Sequence, residues 1–128
     1  MNNTELIDAA KAVLGDRKLS EYCSAGSAAA ALITEAGNVY VGVCIDAACG
    51  IGFCAEHTAI AQMVTRGESR IVKIVALGEG GTFLPPCGRC RELMYQVDIG
   101  NLETKILLGP HRVTQLSDLL PMRWQDAG

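Results

Sequence analysis

Residues 54–56 read Cys-Ala-Glu and residues 86–90 read Pro-Cys-Gly-Arg-Cys, and these two short stretches decide the fold of the chain. Cys87 and Cys90 are one helical turn apart, so their sulfurs can face the same point. A catalytic zinc ion takes three protein ligands and keeps one position for water. With Cys54 as the third ligand, the two stretches predict a metal site at which the starts of two helices meet.

The cysteines and the nearby carboxylate suit catalytic work. Each cysteine lies near a predicted helix N-terminus, where the positive end of the helix dipole favours thiolate over thiol. Glu56 follows Cys54 by two residues, so its carboxylate can reach a water on the metal without ligating the metal, which suits general acid–base catalysis. Two alternatives stay open, a closed structural zinc site with His57 or Cys49 as fourth ligand and a redox-active cysteine pair. A structural zinc site, however, has no need of Glu56.

Outward from these stretches, the sequence predicts an N-terminal helix followed by the order β-β-α-β-α-β-β. Thr4 is the predicted N-cap of the first helix, and Gly15 ends it. The first two strands form a hairpin, because a turn at residues 35–38 separates two apolar runs. The other predicted elements are a helix from Cys54 to Arg66 with Ile60, Ala61 and Val64 buried, a strand at 71–77, a helix after Cys90, strands at 105–108 and 111–114, and a short helix at 116–120.

The last two predicted strands make the sheet mixed. Gly109 and Pro110 form a tight turn between them, and strands joined by so short a link must run antiparallel. The apolar run at residues 71–77 is typical of a strand covered on both faces. The sequence therefore predicts a mixed sheet covered by helices.

Length and composition place further limits on function. The 128 residues fit a single domain over 1–128, and a net charge of −3 without a basic patch argues against a nucleic-acid partner. No apolar run approaches the roughly 20 residues that cross a bilayer, so we expect no membrane association. The N-terminus lacks a signal-peptide pattern, which predicts a cytoplasmic protein. Six cysteines in that compartment favour metal binding or catalysis over disulfides.

With these motifs the sequence resembles the cytidine deaminase superfamily, most of all the small tetrameric cytidine deaminases and the blasticidin-S deaminases. The resemblance extends over nearly the whole chain, including the hairpin before Cys54 and residues 71–77 and 119–121. It implies an α/β fold, a three-layer α/β/α sandwich around a five-stranded mixed sheet. It also implies hydrolytic deamination of a small cytosine-containing nucleoside or analogue, with a Zn²⁺ cofactor and a homotetrameric assembly.

The resemblance also assigns roles to residues. It makes Cys54, Cys87 and Cys90 the zinc ligands, and the zinc lowers the pKa of a bound water. Glu56 becomes the catalytic residue, which takes a proton from the water, protonates ring atom N3 and later protonates the leaving amine. The resemblance further implies that the backbone of Ala55 binds the pyrimidine edge.

The sequence departs from the family pattern where the substrate is held. An Asn and a Glu bind the ribose hydroxyls in cytidine deaminases, and those positions read Cys44 and Asp46 here. Cys44 is a poor replacement for an amide and is better interpreted as a small buried hydrophobe, whereas Asp46 can still accept a hydrogen bond. A stacking aromatic of the family is replaced by Gly26 or Ser27.

Other departures leave roles open. In many three-cysteine members of the family, an Arg follows the catalytic Glu and reduces the negative charge on a ligand sulfur. That position is His57 here. Arg89 and Arg91 are therefore the candidates for this role. Trp124 lies where related proteins place substrate contacts, and it is equally interpretable as an anchor at a subunit interface.

Four functions remain as hypotheses. The first is a cytidine or deoxycytidine deaminase, and the second is a deaminase of another aminopyrimidine such as blasticidin S. The third is a zinc-stabilised binding protein without turnover, which Glu56 disfavours. The fourth is an RNA- or DNA-editing enzyme, which the acidic net charge and the antiparallel last strands disfavour.

Overall fold

The computed structural model describes residues 1–127, which form four helices and six strands connected by short 3₁₀ turns. The elements in chain order are α1 (Asn3–Val13), β1 (Arg17–Ser20), β2 (Cys23–Thr34), β3 (Val39–Ala47), α2 (Ala55–Thr65), β4 (Ile71–Leu77), α3 (Gly88–Val97), β5 (Lys105–Gly109), β6 (Arg112–Gln115) and α4 (Leu116–Leu119).

The N-cap of the first helix lies two residues earlier than predicted. Asn2, not Thr4, is the N-cap of α1, so the prediction for Thr4 was wrong. The Asn2 side chain accepts a hydrogen bond from the Glu5 backbone N–H at 2.8 Å, and the Glu5 carboxylate accepts one from the Asn2 N–H at 3.1 Å. This reciprocal pair satisfies two N–H groups that the helix itself leaves free, and only a residue three positions before Glu5 can make it.

The sheet is mixed, as predicted, but it contains six strands where the resemblance implied five. β2 pairs antiparallel with β3 along one edge, and its other edge pairs first with β1 and then with β4. β4 runs parallel to β5, and β5 runs antiparallel to β6. The sheet is therefore five strands wide, and β1 is the additional strand, in line with β4. All four residues of β1 are exposed, so its sequence carries no alternating apolar pattern to predict it.

Helices cover both faces of the sheet, which confirms the predicted α/β/α layers. α1 packs on one face, where its buried residues join Ala31, Val75 and Leu107. α2 and α3 lie on the other face, together with Leu32 and Ile106. Neighbouring residues of a strand thus belong to opposite core layers, which follows from the two-residue period of a strand. No helix within residues 1–127 is long and apolar enough to cross a membrane.

The helix α2, which follows Cys54, approaches the sheet more closely than a side chain would permit. A Cβ atom placed on Gly42 of β3 would lie 2.6 Å from the backbone N of Ala59 and 2.8 Å from the backbone O of Ala55. Thr58 adds a hydrogen bond from its hydroxyl to the backbone O of Val43, at 2.8 Å. The first turns of α2 therefore lie directly on β3, and this contact fixes where the helix begins.

The buried face of α2 was only partly predicted. Ile60 is buried as expected, but Ala61 and Val64 are exposed, and Ala59 and Met63 are buried instead. The close contact at Gly42 explains the rotation of the face, because small Ala59 must point at the sheet where α2 touches β3. Residues 59, 60 and 63 then form one stripe at the spacing of a helix.

Gly42→Ala should therefore destabilise the protein and disturb the start of α2. The added methyl group meets backbone atoms that cannot turn away, and overpacking of this kind typically costs about 1–3 kcal/mol. Urea unfolding should show this loss. Gly109→Ala is the matched control, because a Cβ there meets its nearest neighbour at 3.5 Å, an ordinary contact. Equal stability of the two variants would contradict the role given to Gly42.

Candidate active site

The structure brings the sulfurs of Cys54, Cys87 and Cys90 together, all within 4.8 Å of one another. Cys54 is the N-cap of α2, Cys87 is the N-cap of α3, and Cys90 lies in the first turn of α3. The Cys54 and Cys87 sulfurs are 3.3 Å apart. Zinc binds thiolates at about 2.3 Å in tetrahedral geometry, which places ligand sulfurs roughly 3.8 Å apart, so this donor set fits zinc with one position left open.

Arg91 holds the segment that carries two of these cysteines. Its Nε donates a hydrogen bond to the backbone O of Pro86 at 2.7 Å, and its Nη1 donates one to the backbone O of Leu119 at 2.9 Å. Arg91 thus ties the start of α3 to the end of α4. Its guanidinium is engaged by the backbone, whereas Arg89 lines the cavity beside Cys87.

The three thiols differ in their electrostatic surroundings. Burial raises the pKa of Cys54 and, more strongly, that of Cys90, which is fully buried. Partial burial also acts to raise the pKa of Cys87, but the backbone N–H groups of Cys90 and Arg89 and the neighbouring thiols outweigh it, so that pKa is lowered. The N–H groups at the start of α3 therefore favour the thiolate form of Cys87, as expected at a helix N-terminus.

Glu56 lies in the first turn of α2 and is only 6% exposed. Burial raises the pKa of its carboxyl, and a hydrogen bond to its own backbone N–H lowers it by less. Among the described residues, the only group suited to hold a metal consists of the three cysteines and does not include Glu56. A buried carboxyl with a raised pKa, near a metal site but outside the ligand set, is suited to general acid–base catalysis.

A cavity of about 540 Å³ opens over these groups. Its size is within the range of small-molecule sites. It brings together most residues that the sequence singled out, including the recognition candidates on β2 and β3. The predicted site residues that line it are Ser27, Cys44, Asp46, Cys54, Ala55, Glu56 and Cys87.

Trp124 is the predicted site residue that the structure places elsewhere. Its side chain is 80% exposed and lines a separate depression with Tyr95 and Ile99, away from the cavity. Within one chain it therefore makes no contact with the cavity, and the second interpretation, an anchor at a subunit interface, is the one that its exposure favours.

Three polar side chains form one wall of the cavity. Cys44 is 7% exposed, and its sulfur accepts a hydrogen bond from the Ala28 N–H at 3.2 Å and contacts the Ser27 hydroxyl oxygen at 3.2 Å. Ser27 also donates a hydrogen bond to the exposed Asp46 carboxylate at 3.3 Å. Cys44 is thus buried, as expected of a small hydrophobe, but it also takes part in a polar network at the cavity.

The two candidates for a fourth metal ligand, His57 and Cys49, lie outside the metal-binding group found within residues 1–127. His57 stacks on the ring of Phe53, with the ring centroids 4.7 Å apart, and its buried Nδ1 has no hydrogen-bond partner. Phe53 and Leu84 line the cavity, and the sequence reasoning missed both. The sequence did offer one indication for Phe53. It immediately precedes Cys54, so the start of α2 that brings Cys54 to the site also brings Phe53 close to it.

An α/β/α sandwich in which three cysteine sulfurs meet beside a cavity lined by a buried glutamate is the arrangement expected of a zinc-dependent hydrolase. Comparisons with known proteins make the class specific. Residues 3–105 match the family model described as the cytidine and deoxycytidylate deaminase zinc-binding region. The chain belongs to this cytidine and deoxycytidylate deaminase family.

Individual relatives agree with the family match. The chain is 35% identical to a cytidine deaminase of Halalkalibacterium halodurans over 81 residues, which span 62% of this chain and 60% of that protein. It is 30% identical to a cytidine deaminase of Mycobacterium tuberculosis over 93 residues, 72% of this chain and 68% of that protein. The crystal structure of the Mycobacterium leprae cytidine deaminase superimposes with a TM-score of 0.78 at 30% identity, covering 95% of this chain and 99% of that one.

We expect the purified protein to contain one zinc ion per chain. The double variant Cys87→Ala, Cys90→Ala should lose the zinc, because one remaining thiolate cannot hold the ion in the place of three. Elemental analysis of the folded proteins measures this. Cys23→Ala is the matched control, since Cys23 lies outside the metal-binding group and should leave the zinc content unchanged. Full zinc retention in the double variant would contradict the ligand assignment.

Proposed function

We propose that this protein hydrolytically removes the amino group from a cytosine ring carried by a nucleoside or nucleoside analogue. One observation carries the proposal: the buried Glu56 carboxyl and the sulfurs of Cys54 and Cys87 line the same cavity. Cys90 completes the donor set from beneath the cavity wall. Relatives named as cytidine deaminases support the choice of a cytosine ring.

In the proposed reaction Glu56 carries the protons. It takes one proton from the attacking water and transfers it to ring atom N3, and it then takes the second proton from the hydroxyl group on C4 and delivers it to the leaving amine. A bond forms between C4 and the water oxygen, the bond between C4 and the amino nitrogen breaks, and ammonia departs. Burial raises the pKa of Glu56 above its usual value, which favours this double task because it makes the carboxylate a stronger proton acceptor.

Other residues would bind and orient the reactants. Cys54, Cys87 and Cys90 would hold the zinc, which supplies Lewis-acid chemistry that lowers the pKa of water. Ala55 is buried at the start of α2 and lines the cavity, so its backbone is placed to bind the edge of the pyrimidine. The apolar Leu84 side chain excludes water from another wall.

Ammonia release from a panel of cytosine, cytidine, deoxycytidine, blasticidin S and other aminopyrimidines tests this function. Glu56→Gln should lower turnover by at least roughly 10²-fold, because the amide cannot take up a proton. Zinc content and unfolding midpoint should remain those of the parent. Glu35→Gln, an exposed position in the β2–β3 turn, is the matched control and should retain activity. Turnover by Glu56→Gln within a few-fold of the parent would contradict the assigned role.

We infer in addition that plain cytidine is a mediocre substrate. The ribose-binding Asn and Glu of cytidine deaminases correspond to Cys44 and Asp46, and the Cys44 sulfur is engaged with Ser27 and Ala28. A lost hydrogen bond to a buried hydroxyl typically forfeits about 0.5–1.5 kcal/mol. Contacts with the distant sugar help to place the reacting ring, so their loss should lower kcat/KM. A deaminase of another aminopyrimidine, such as blasticidin S, is therefore the second candidate.

The double variant Cys44→Asn, Asp46→Glu should raise kcat/KM for cytidine relative to free cytosine, because it restores the ribose-binding pair without altering the ring site. The comparison with cytosine separates gains at the sugar from general effects on catalysis. Each single variant serves as a control for the other. Should the parent already process cytidine at ordinary enzyme efficiency, with no improvement in the double variant, the assignment of these two positions is wrong.

We also propose that residues 1–128 act as one domain, that the protein works in the cytoplasm, and that it assembles as a homotetramer. The exposed apolar side chains of Ile99, Met122 and Trp124 support the assembly, since an interface would remove them from water. Light scattering should give the mass of four chains at micromolar concentration. A stable monomer would contradict the assembly and leave the proposed reaction untouched.

A zinc-stabilised protein without turnover would release no ammonia from any compound of the panel.

A further inference from the structure

We propose that Phe53 is a specificity-determining residue, whose ring supplies the aromatic face against which the flat heteroaromatic ring of the substrate packs. This inference rests on the proposed function and adds a residue for which the family pattern provides no role here. Phe53 is the only aromatic residue among those that line the cavity. It directly precedes Cys54, which lines the same cavity.

The two phenylalanines of the chain differ in their surroundings. Phe83 packs against the core cluster beneath α1. Phe53 belongs to none of the three hydrophobic clusters formed by residues 1–127, although it is partly buried. Its ring therefore contributes to the wall of the cavity and does not fill the core. An aromatic ring kept out of the core and at the wall of a cavity provides apolar surface for a ligand.

The backbone of Phe53 is held rigidly. Its N–H donates to the backbone O of Ile45 at 2.9 Å, and its carbonyl accepts from the Ile45 N–H at 3.0 Å. Gly52 lies so close to the Ile45 carbonyl that no Cβ atom would fit between them. This short antiparallel bridge anchors Phe53 to β3 immediately before the chain enters α2.

The ring of Phe53 is also restrained. It contacts the His57 ring at a centroid distance of 4.7 Å and an interplanar angle of 33°. His57 is one helical turn further along, on an α2 helix that Gly42 and Thr58 fix to the sheet. A ring held from behind in this way loses little conformational freedom when a ligand packs on it, and low ordering cost favours binding.

Position and chemistry together define the class of ligand. The cavity offers an aromatic face at Phe53, a proton donor and acceptor at Glu56, and a polar wall at Ser27 and Asp46. A planar conjugated ring with a polar substituent complements all three. Gly26 or Ser27 falls where the resemblance implies a stacking aromatic, and Phe53 would provide such a ring from a different element, the loop before α2.

Stacking predicts a preference for flat rings, which can be measured without turnover. Uridine has a flat conjugated ring. In 5,6-dihydrouridine the bond between C5 and C6 is saturated, so the ring is neither aromatic nor planar. The zinc-loaded protein should bind uridine roughly 3- to 10-fold more tightly than 5,6-dihydrouridine, a range that corresponds to the usual strength of an aromatic pair. NMR titration gives both dissociation constants.

Phe53→Leu should reduce this preference to less than about twofold, because leucine retains apolar bulk and lacks the ring. Phe53→Tyr should preserve the preference. Phe83→Leu is the matched control, since it removes the same ring from a position that lies outside the cavity, and it should preserve the preference as well. An unchanged preference in Phe53→Leu, or no preference in the parent, would overturn the proposal.

A second measurement covers the case in which Phe53→Leu fails to fold. The double variant Phe53→Trp, Trp124→Phe carries a single indole at the cavity, because Trp124 is the only tryptophan of the chain. Uridine should quench its fluorescence with a saturating dependence, and no change on addition of uridine would overturn the proposal. If the parent prefers the flat ring but releases no ammonia, and Phe53→Leu loses the preference, the role of Phe53 is supported and the deaminase function is refuted. If the parent releases ammonia but Phe53→Leu keeps the flat-ring preference, the deaminase function is supported and the role of Phe53 is refuted.

Discussion

The direct contact between the start of α2 and β3 at Gly42 is the constraint on which the rest of the structure depends. Because no side chain intervenes, the backbone of Ala55 and Ala59 lies against the strand, and the hydrogen bond from Thr58 to Val43 fixes the helix along its axis. Cys54 and Glu56 are therefore placed by backbone packing. Side chains placed by rigid backbone lose little freedom when they bind a metal or a substrate, and catalysis needs this accuracy of placement.

The same packing buries ionisable groups whose negative charge the protein alone does not balance. Burial raises the pKa of Cys54, Cys90 and Glu56, which shows that negative charge in this region is poorly solvated. Of the three thiols, only that of Cys87 has a lowered pKa, because N–H groups at the start of α3 and the neighbouring thiols favour its thiolate form. A dication held by the sulfurs would balance the thiolate charge, so metal binding and thiol deprotonation are linked. The fold thus favours a bound cation through desolvation as well as through ligand geometry.

The sequence predicted those features that follow from residue type and spacing along the chain. It did not predict those features that depend on contacts between distant parts of the fold. The spacing of Cys87 and Cys90 and the strand pattern of β2 were both interpretable from the chain alone, and the structure has them as predicted. The short exposed strand β1 carries no pattern, and the buried stripe of α2 depends on which side faces Gly42. The position of Trp124 depends on the course of the chain after α4, which local sequence does not specify.

The cavity has two parts with different structural origins. The reactive part comes from two helix N-termini, whose geometry is set by the sheet and by Arg91. The part to which we assign recognition comes from β2, β3 and the loop before α2, where Ser27, Cys44 and Phe53 line the cavity. Exchanges at exposed or partly buried positions such as Ser27 and Phe53 disturb the core little, whereas a change at a helix start would displace the sulfurs. The departures from the family pattern therefore concentrate in the part to which we assign recognition, whereas the three cysteines and Glu56 keep the pattern.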